Sequence, residues 1–271
     1  MIRALLLGCL LLILQAAGAQ EAEHPWLMMV STKSTDTRRD AQFNEWYNQI
    51  DIPDVLQVPG YERARRGLRI DVPQMPRADS ADDNTYVALY DILSPNIDRT
   101  MIDMLMASRK MEAVGRSTDL LTVTERLYFR QMAAATESAT SEVAATPRHA
   151  TTPGHAGRKR FLLLERVDCC RDEATAAQLN DWYAMRHIPD MLGIPGFVRA
   201  TRYELYRVLM IEPRSAPRFL TVYEVSADSA EQVANLRDGA MRKLRQDGRL
   251  SDSFVEHGTA LYLGINDVYA H

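Results

Sequence analysis

A tyrosine, a histidine and an aspartate lie within eight residues of one another in the second half of the chain. Tyr183 and His187 are four residues apart, so they share one face of a predicted helix. Pro189 is expected to end that helix, with Asp190 directly after it. A histidine exchanges protons near neutral pH, and a neighbouring carboxylate can fix its tautomer. The three residues are therefore candidate catalytic residues, with Tyr183 and Asp190 orienting His187.

The segment that holds these residues occurs twice. Residues 43–66 align with residues 179–202 at an offset of 136, and 12 of the 24 positions are identical. Identity at one fixed offset predicts an internal duplication. The first copy has Asp51 where the second has His187, so we expect the two copies to differ in chemistry. The candidate substrate-binding residues are Trp182 and Arg202 in the second copy and Trp46, Tyr47 and Asp51 in the first.

The same residues also have a purely structural interpretation. His187 near a helix end interacts favourably with the helix dipole. Trp182 and Tyr183 are residue types found in cores more often than in ligand sites. Asp190 could hydrogen-bond to loop amides after the proline. Catalysis and structure are equal alternatives for His187, because Asp51 replaces it in the other copy.

The flanking segments extend the correspondence to nearly the whole chain. Paired apolar runs and helical stretches give each half the order strand, helix, strand, strand, helix, strand. This order is that of a ferredoxin-like βαββαβ unit, so we expect an α+β protein with two tandem repeats. The repeats are placed at residues 24–132 and 160–268. The segment 133–159 between them is rich in Ala, Thr, Ser and Pro and is predicted to be a flexible linker.

Residues 1–19 have the pattern of a signal peptide. A positive Arg3, a short apolar run over Ala4–Leu14 and an A-x-A-type site at Ala17–Ala19 follow one another. We therefore expect a periplasmic or secreted protein, with retention of this segment as an anchor as the alternative. The chain has 271 residues and a net charge of −4, which argues against nucleic-acid binding.

Cysteine and glycine patterns give no indication of a metal or a cofactor. Cys9 lies in the predicted signal peptide, and Cys169 and Cys170 are adjacent. A disulfide between neighbouring residues is unusual, so two free thiols at a strand end are expected. Zinc-site spacings and Gly-rich nucleotide-binding patterns do not occur in the sequence. We accordingly expect no metal site and no bound cofactor.

The motif W-Y-x-x-x-H-I-P-D-M-L-x-I-P-G-F over residues 182–197 resembles the EthD-like members of the dimeric α/β-barrel superfamily. The resemblance covers both halves, without the linker. It implies that the two repeats close into one intramolecular α/β barrel, with an apolar cavity between sheet and helices and His187 as the residue of interest. The superfamily includes cofactor-independent monooxygenases, cyclases, decarboxylases, isomerases and haem enzymes.

Three functions remain open at this point. The first is an enzyme, such as a cofactor-independent monooxygenase, lyase or isomerase, that acts on a small hydrophobic molecule with an aromatic or ketone group. His187 would then be the general acid/base, and Arg202 could hold an anionic oxygen. The second is a non-catalytic binding protein for a small apolar ligand. The third is a haem protein with His187 or His257 as ligand, which lacks the C-x-x-C-H attachment motif. The duplication removes the need for a homodimer without forbidding one.

Overall fold

A computed structural model describes residues 22–75, 85–139, 157–170, 172–211 and 216–270. The predicted signal peptide at 1–19 and residues 140–156 of the predicted linker lie outside these ranges. Within the described ranges, no helix has both the length and the apolar composition needed to cross a membrane.

The first half contains four long strands and two helical regions. In chain order its elements are β1 (His24–Ser34), a 3-10 turn (Thr37–Arg39), α1 (Asp40–Trp46), a π-helical turn (Tyr47–Asp51), α2 (Ile52–Val55), β2 (Tyr61–Ile70), β3 (Tyr86–Ser94), α3 (Ile97–Ala113) and β4 (Leu121–Gln131).

The second half has the same order of elements after one additional short strand. Its elements are β5 (Thr136–Glu137), β6 (Lys159–Asp168), α4 (Glu173–Trp182), a π-helical turn (Tyr183–His187), α5 (Ile188–Leu192), β7 (Phe197–Ile211), β8 (Phe219–Ala227), α6 (Ala230–Gln246) and β9 (Val255–Tyr269).

The eight long strands close into one antiparallel barrel. Their order is β4-β1-β3-β2-β9-β6-β8-β7, and β4 pairs with β7 to complete the circle. The β2–β9 and β4–β7 pairings join the two halves, so neither half keeps an exposed sheet edge at these positions. The expectation of an α+β chain that closes into an α/β barrel is confirmed.

Strand alternation divides the core into three parts. Side chains that point into the barrel form one apolar cluster, to which Leu162 and Leu164 of β6 belong. Side chains on the outer faces pack under the helices of each half and form two further clusters. Because successive strand residues point to opposite faces, Leu163 and Glu165 of β6 lie on the helix side.

The sequence predicted that the helix with His187 ends at Pro189. In the structure the helix continues through this residue. Ile188 keeps right-handed helical angles, and its amide donates to the Tyr183 carbonyl five residues earlier. Proline has no amide hydrogen, so it fits the first turn of α5 directly after this wider turn. The same arrangement occurs at Ile52 and Pro53 in the first half.

The beginning of the predicted linker is ordered on the barrel. Thr136 and Glu137 pair with Ala200 and Arg199 of β7 as an additional antiparallel strand. The Ser138 hydroxyl donates to the Leu192 carbonyl at 2.9 Å and is buried. Free backbone groups on β7 offer this segment hydrogen bonds that the polar sequence alone does not reveal.

The expectation of two free thiols is wrong in this structure. Cys169 and Cys170, after the end of β6, are joined as a disulfide. Cys170 has a φ of 73°, which lies in the left-handed region.

Replacing Gly196 by alanine is expected to destabilise the turn between α5 and β7. Gly196 has a φ of 99°, and an added Cβ would lie 2.5 Å from the Ser226 carbonyl oxygen. We expect Gly196→Ala to lower the free energy of unfolding by about 3 kcal/mol. Gly248→Ala is the control, since Gly248 also has positive φ but no atom within 4 Å of the added Cβ, and it should cost about 1 kcal/mol. Equal losses for both variants in urea unfolding would contradict the proposed clash.

Candidate functional site

A buried carboxylate on β6 is the centre of the site in the second half. Glu165 lies on the helix side of the strand and is fully buried. Its Oε2 atom accepts a hydrogen bond from the Tyr183 hydroxyl at 2.9 Å and lies 3.0 Å from Nε2 of His187. An ionised carboxylate only accepts hydrogen bonds, so Nε2 carries the hydrogen in this contact.

Arg237 of α6 supports the same carboxylate from the other side. Its guanidinium donates to Oε1 of Glu165 at 3.2 Å, to Glu256 at 2.7 Å and to the Thr259 hydroxyl at 3.1 Å. Burial acts to raise the pKa of Glu165, but the interactions with His187, Arg237 and Tyr183 together lower it to about 2. Glu165 is therefore a charged group in the core at neutral pH.

Aromatic rings enclose the imidazole of His187. Trp182 stacks on it at 4.8 Å between ring centroids, and Tyr183 meets it edge-on at 4.7 Å. Phe254 and Tyr223 lie at 5.9 Å and 6.5 Å. Nδ1 of His187 and the hydroxyl of Tyr223 are both buried and have no hydrogen-bond partner among the described residues. With the hydrogen on Nε2, Nδ1 is an unused hydrogen-bond acceptor and the Tyr223 hydroxyl is an unused donor.

Arg202 of β7 extends the site towards the last turn of α4. Its guanidinium carbon lies 3.5 Å from the centroid of the Tyr183 ring. Its Nε and Nη2 atoms donate to the Asn180 amide oxygen at 3.2 and 2.9 Å, and Nη1 donates to the Thr221 hydroxyl at 3.1 Å. Arg202 thus contacts the ring of Tyr183 and is fully paired without a ligand.

Asp190 does not contact His187, contrary to the expectation that it orients the histidine. It accepts a hydrogen bond from Arg249 at 2.9 Å instead. The indole nitrogen of Trp182 donates to the backbone carbonyl of Arg249 at 2.7 Å. Because the helix continues past His187, Asp190 lies on a partly exposed side of α5 and fastens the loop after α6.

Glu165 and Arg237 were not identified from the sequence. A signal for Glu165 was present, since the other helix-side positions of β6 (Phe161, Leu163 and Val167) are apolar and an ionisable residue among them has to be paired. Arg237 lies in an amphipathic helix with several other basic residues, and nothing in the pattern distinguishes it from them.

The equivalent place in the first half has different ionisable groups. Val30 lies opposite Ala88 in the β1–β3 ladder, as Glu165 lies opposite Thr221 in the β6–β8 ladder. Asp51 accepts a hydrogen bond from the Tyr90 hydroxyl at 3.2 Å. The first half therefore lacks the Glu–His pair and has one carboxylate at the histidine position.

Two other candidate residues of the first half serve this same region. Tyr47 is buried, with the guanidinium carbon of Arg66 4.1 Å from its ring centroid. Trp46 lies further out and donates its indole hydrogen to the Arg116 carbonyl at 2.8 Å. The structure thus brings Tyr47 and Asp51 into the helix-side core and places Trp46 at its rim.

Burial gives Asp51 an unusual proton affinity. It raises the pKa of this carboxyl group, while Tyr90, Arg126 and Arg66 lower it, and the result is about 6. Asp51 is thus poised to change its charge close to neutral pH, in contrast to Glu165.

A haem ligated by His187 fits this arrangement poorly. Nε2 is engaged by Glu165, and four aromatic rings surround the remainder of the imidazole. A porphyrin bound at Nδ1 would have to displace at least one of these rings. The side chain of His257 lies outside the described part of the chain. In the part that is described, no three His, Cys, Asp or Glu residues are grouped as metal ligands would be.

Comparisons with known proteins identify the fold. No protein-family model matches the chain, and no curated protein matches it in sequence. The structure is similar to an anthrone oxidase-like protein, with 12% identity, a TM-score of 0.53, and coverage of 91% of this chain and 93% of the other. This likeness supports the α/β-barrel fold.

Two further similar structures have lower scores. One is a monooxygenase candidate of Fusobacterium nucleatum, with 8% identity, a TM-score of 0.47, and coverage of 93% of this chain and 94% of the other. The second is a mutant chlorite dismutase of Candidatus Nitrospira defluvii, with 14% identity, a TM-score of 0.49, and coverage of 89% and 91%.

The charge of Glu165 should be visible in the pH dependence of stability. The folded-state pKa of about 2 lies below the ordinary value of 4.5, so its stabilisation is present above pH 4.5 and is lost as the pH falls towards 2. At pH 7 we expect Glu165→Gln to lower the free energy of unfolding by about 3 kcal/mol, because Arg237 loses its buried partner. The difference in the free energy of unfolding between the wild type and Glu165→Gln should become smaller as the pH falls from 4.5 to 3.

The control for this experiment is Glu173→Gln. Glu173 also pairs with an arginine, Arg218, but its side chain is 85% exposed. Glu173→Gln should lower the free energy of unfolding by less than about 1 kcal/mol at pH 7. If the difference in the free energy of unfolding between the wild type and Glu165→Gln stays constant from pH 7 to pH 3, Glu165 does not have the assigned charge.

Asp51 should show the opposite pH dependence. Its raised pKa means that the folded state disfavours the carboxylate, so the protein loses stability as the pH rises from 4 through 6. Asp51→Asn removes this cost and should raise the free energy of unfolding at pH 8 by about 2 kcal/mol, with little change at pH 4. Urea unfolding at both pH values measures this difference, with Asp103→Asn on the surface of α3 as control. Destabilisation by Asp51→Asn at pH 8 would contradict the prediction.

Proposed function

We propose that this protein is an exported, tandem-duplicated EthD-like barrel protein that acts on a small hydrophobic molecule with an aromatic or ketone group. The reaction is cofactor-independent acid/base chemistry at His187, of the kind used in oxygenation, decarboxylation, cyclisation or isomerisation. The observation that carries the proposal is the buried His187–Glu165 pair, in which Nδ1 of the histidine is left without a partner.

The charge arrangement around His187 suits a general base. Glu165 accepts the hydrogen on Nε2, so the imidazole presents a lone pair on Nδ1 whenever it carries a single proton. When Nδ1 takes a proton from a substrate carbon, the carboxylate stabilises the imidazolium that forms. Tyr183 and Arg237 hold Glu165 in place through hydrogen bonds to its two oxygens.

Tyr223 supplies a hydrogen-bond donor for the oxygen of the substrate. Its hydroxyl is buried and unpartnered, and its ring centroid is 6.5 Å from that of His187. A ketone that loses an α-proton to Nδ1 develops negative charge on its oxygen, which this hydroxyl can stabilise. Aromatic walls from Trp182, Tyr183 and Phe254 favour a planar apolar substrate.

Anthrone is the probe that tests this chemistry, because one similar structure is anthrone oxidase-like. Removal of a proton from its CH₂ group gives a stabilised carbanion that reacts with O₂. The overall change is anthrone plus O₂ to anthraquinone plus water, in which one oxygen atom enters the product and the other leaves as water. Neither a metal nor a flavin is needed to balance the reaction.

Substitutions at His187 and Glu165 should separate catalysis from binding. We expect His187→Gln to reduce kcat for anthrone oxidation at least 100-fold, as removal of a general base commonly does. Glu165→Gln should reduce it about tenfold, since the histidine keeps its place but loses the adjacent charge. Met185→Gln is the control, because Met185 lies in the same helical turn and its side chain is 75% exposed.

The readouts are oxygen uptake and anthraquinone absorbance. Full turnover by His187→Gln would refute the catalytic assignment. Binding of anthrone by the wild type without turnover would favour the second candidate, a non-catalytic binding protein. A Soret band after titration with haemin would instead favour the haem alternative. Export is tested separately, by fractionation of cells that express the full chain.

A further inference from the structure

Arg66 of β2 is a buried arginine with an open edge, by which we mean one side of its guanidinium that makes no hydrogen bond to the described residues. The residue is fully buried, yet its Nε and Nη2 atoms have no partner among the described residues. In the described ranges Nη1 alone is bonded to a side chain, through a hydrogen bond to the Asn48 amide oxygen at 3.2 Å. Nε and Nη2 form one side of the planar guanidinium, and a buried guanidinium edge without an acceptor is costly.

The second half contains a matched comparison. Arg202 is the equivalent of Arg66 in the repeat, and its Nε and Nη2 atoms both donate to Asn180. Asn44 is the equivalent of Asn180, but its amide nitrogen faces Asp40 and the Tyr86 hydroxyl, and its amide oxygen is buried without a partner. The protein group that satisfies this edge in one half is therefore turned away in the other.

Two sequence differences between the halves explain why Asn44 is turned away. Asp40 and Tyr86 hydrogen-bond to each other and to Asn44. Their equivalents in the second half are Ala176 and Phe219, which have no polar side-chain atoms. The open edge of Arg66 thus results from residues that differ between otherwise similar segments.

The surroundings of Arg66 also carry uncompensated positive charge. Neither Arg66 nor Arg126 forms an ion pair in the part of the chain that the structure describes, and Nε of Arg126 is buried without a partner. Both guanidinium groups lie close enough to Asp51 to lower its pKa, although burial has the larger effect and keeps it near 6. Two arginines facing one carboxyl group leave an excess of positive charge, which favours an incoming anion.

We propose that Arg66 is the anchor of a second ligand site, in the first half, that binds the carboxylate of a small organic acid. A carboxylate fits because its two oxygens match the parallel Nε and Nη2 donors of one guanidinium side. The rings of Phe43, Tyr47 and Tyr86 pack around the guanidinium at 5.2, 4.1 and 4.6 Å and hold it in one orientation. This site is independent of the chemistry at His187.

Benzoate is the probe, and isothermal titration of the full chain is the measurement. We expect one benzoate per chain with a Kd below about 1 mM. Arg66→Lys keeps the charge but cannot donate two parallel hydrogen bonds to one carboxylate. It should weaken benzoate binding at least tenfold. Arg202→Lys is the matched control, because Arg202 is already paired, and it should leave the Kd of benzoate unchanged within about twofold.

A double variant tests the proposal without touching the arginine. Asp40→Ala with Tyr86→Phe copies the second half and frees Asn44 to accept from Arg66. We expect it to weaken benzoate binding at least fivefold while the protein remains folded by circular dichroism. This variant decides the question even if Arg66→Lys fails to fold.

Several outcomes would overturn the proposal. These are no benzoate binding by the wild type at about 10 mM, unchanged binding in the double variant, or loss of binding in Arg202→Lys rather than Arg66→Lys. Inorganic phosphate that competes as tightly as benzoate would overturn the assignment to carboxylates. Anthrone turnover by Arg66→Lys and by the double variant should equal that of the wild type, since none of the substituted residues belongs to the site at His187.

Discussion

A charged carboxylate inside an apolar core is the interaction on which the second half depends. Glu165 has no contact with solvent, so its charge has to be balanced by protein groups. Those groups come from two separate segments, the π-helical turn with Tyr183 and His187, and α6 with Arg237. The pairing therefore fixes how both helical regions lie on the sheet, and it fixes the tautomer of the histidine at the same time.

The first half satisfies a similar core with a different distribution of charge. Val30 stands where the second half has Glu165, and the carboxyl group of Asp51 has a pKa of about 6. Positive charge from Arg66 and Arg126 is then in excess rather than in balance. In the second half the charges around the histidine are thus paired with one another, whereas the first half has more positive than negative groups in its core.

The repeated segment and its flanking runs predicted the succession of strands and helices in each half, and the family resemblance implied that the halves close into one barrel. The partners of His187 could not be predicted from the sequence. Asp190 is the carboxylate nearest to His187 along the chain. However, the helix continues through the π-helical turn before Pro189, and Asp190 therefore pairs with Arg249. Glu165 is 22 residues away and reaches His187 only through the packing of a helix on a strand.

The covalent link between the halves allows them to differ. In a barrel made from two identical chains, each substitution appears in both copies, so a gain at one site changes the other. Here the β2–β9 and β4–β7 pairings hold two unlike halves together. Arg63 of β2 also donates to Asp267 of β9 at 2.7 Å across one of these seams. Because closure no longer requires equal copies, one half can keep His187 with Glu165 while the other has Asp51 and an open Arg66.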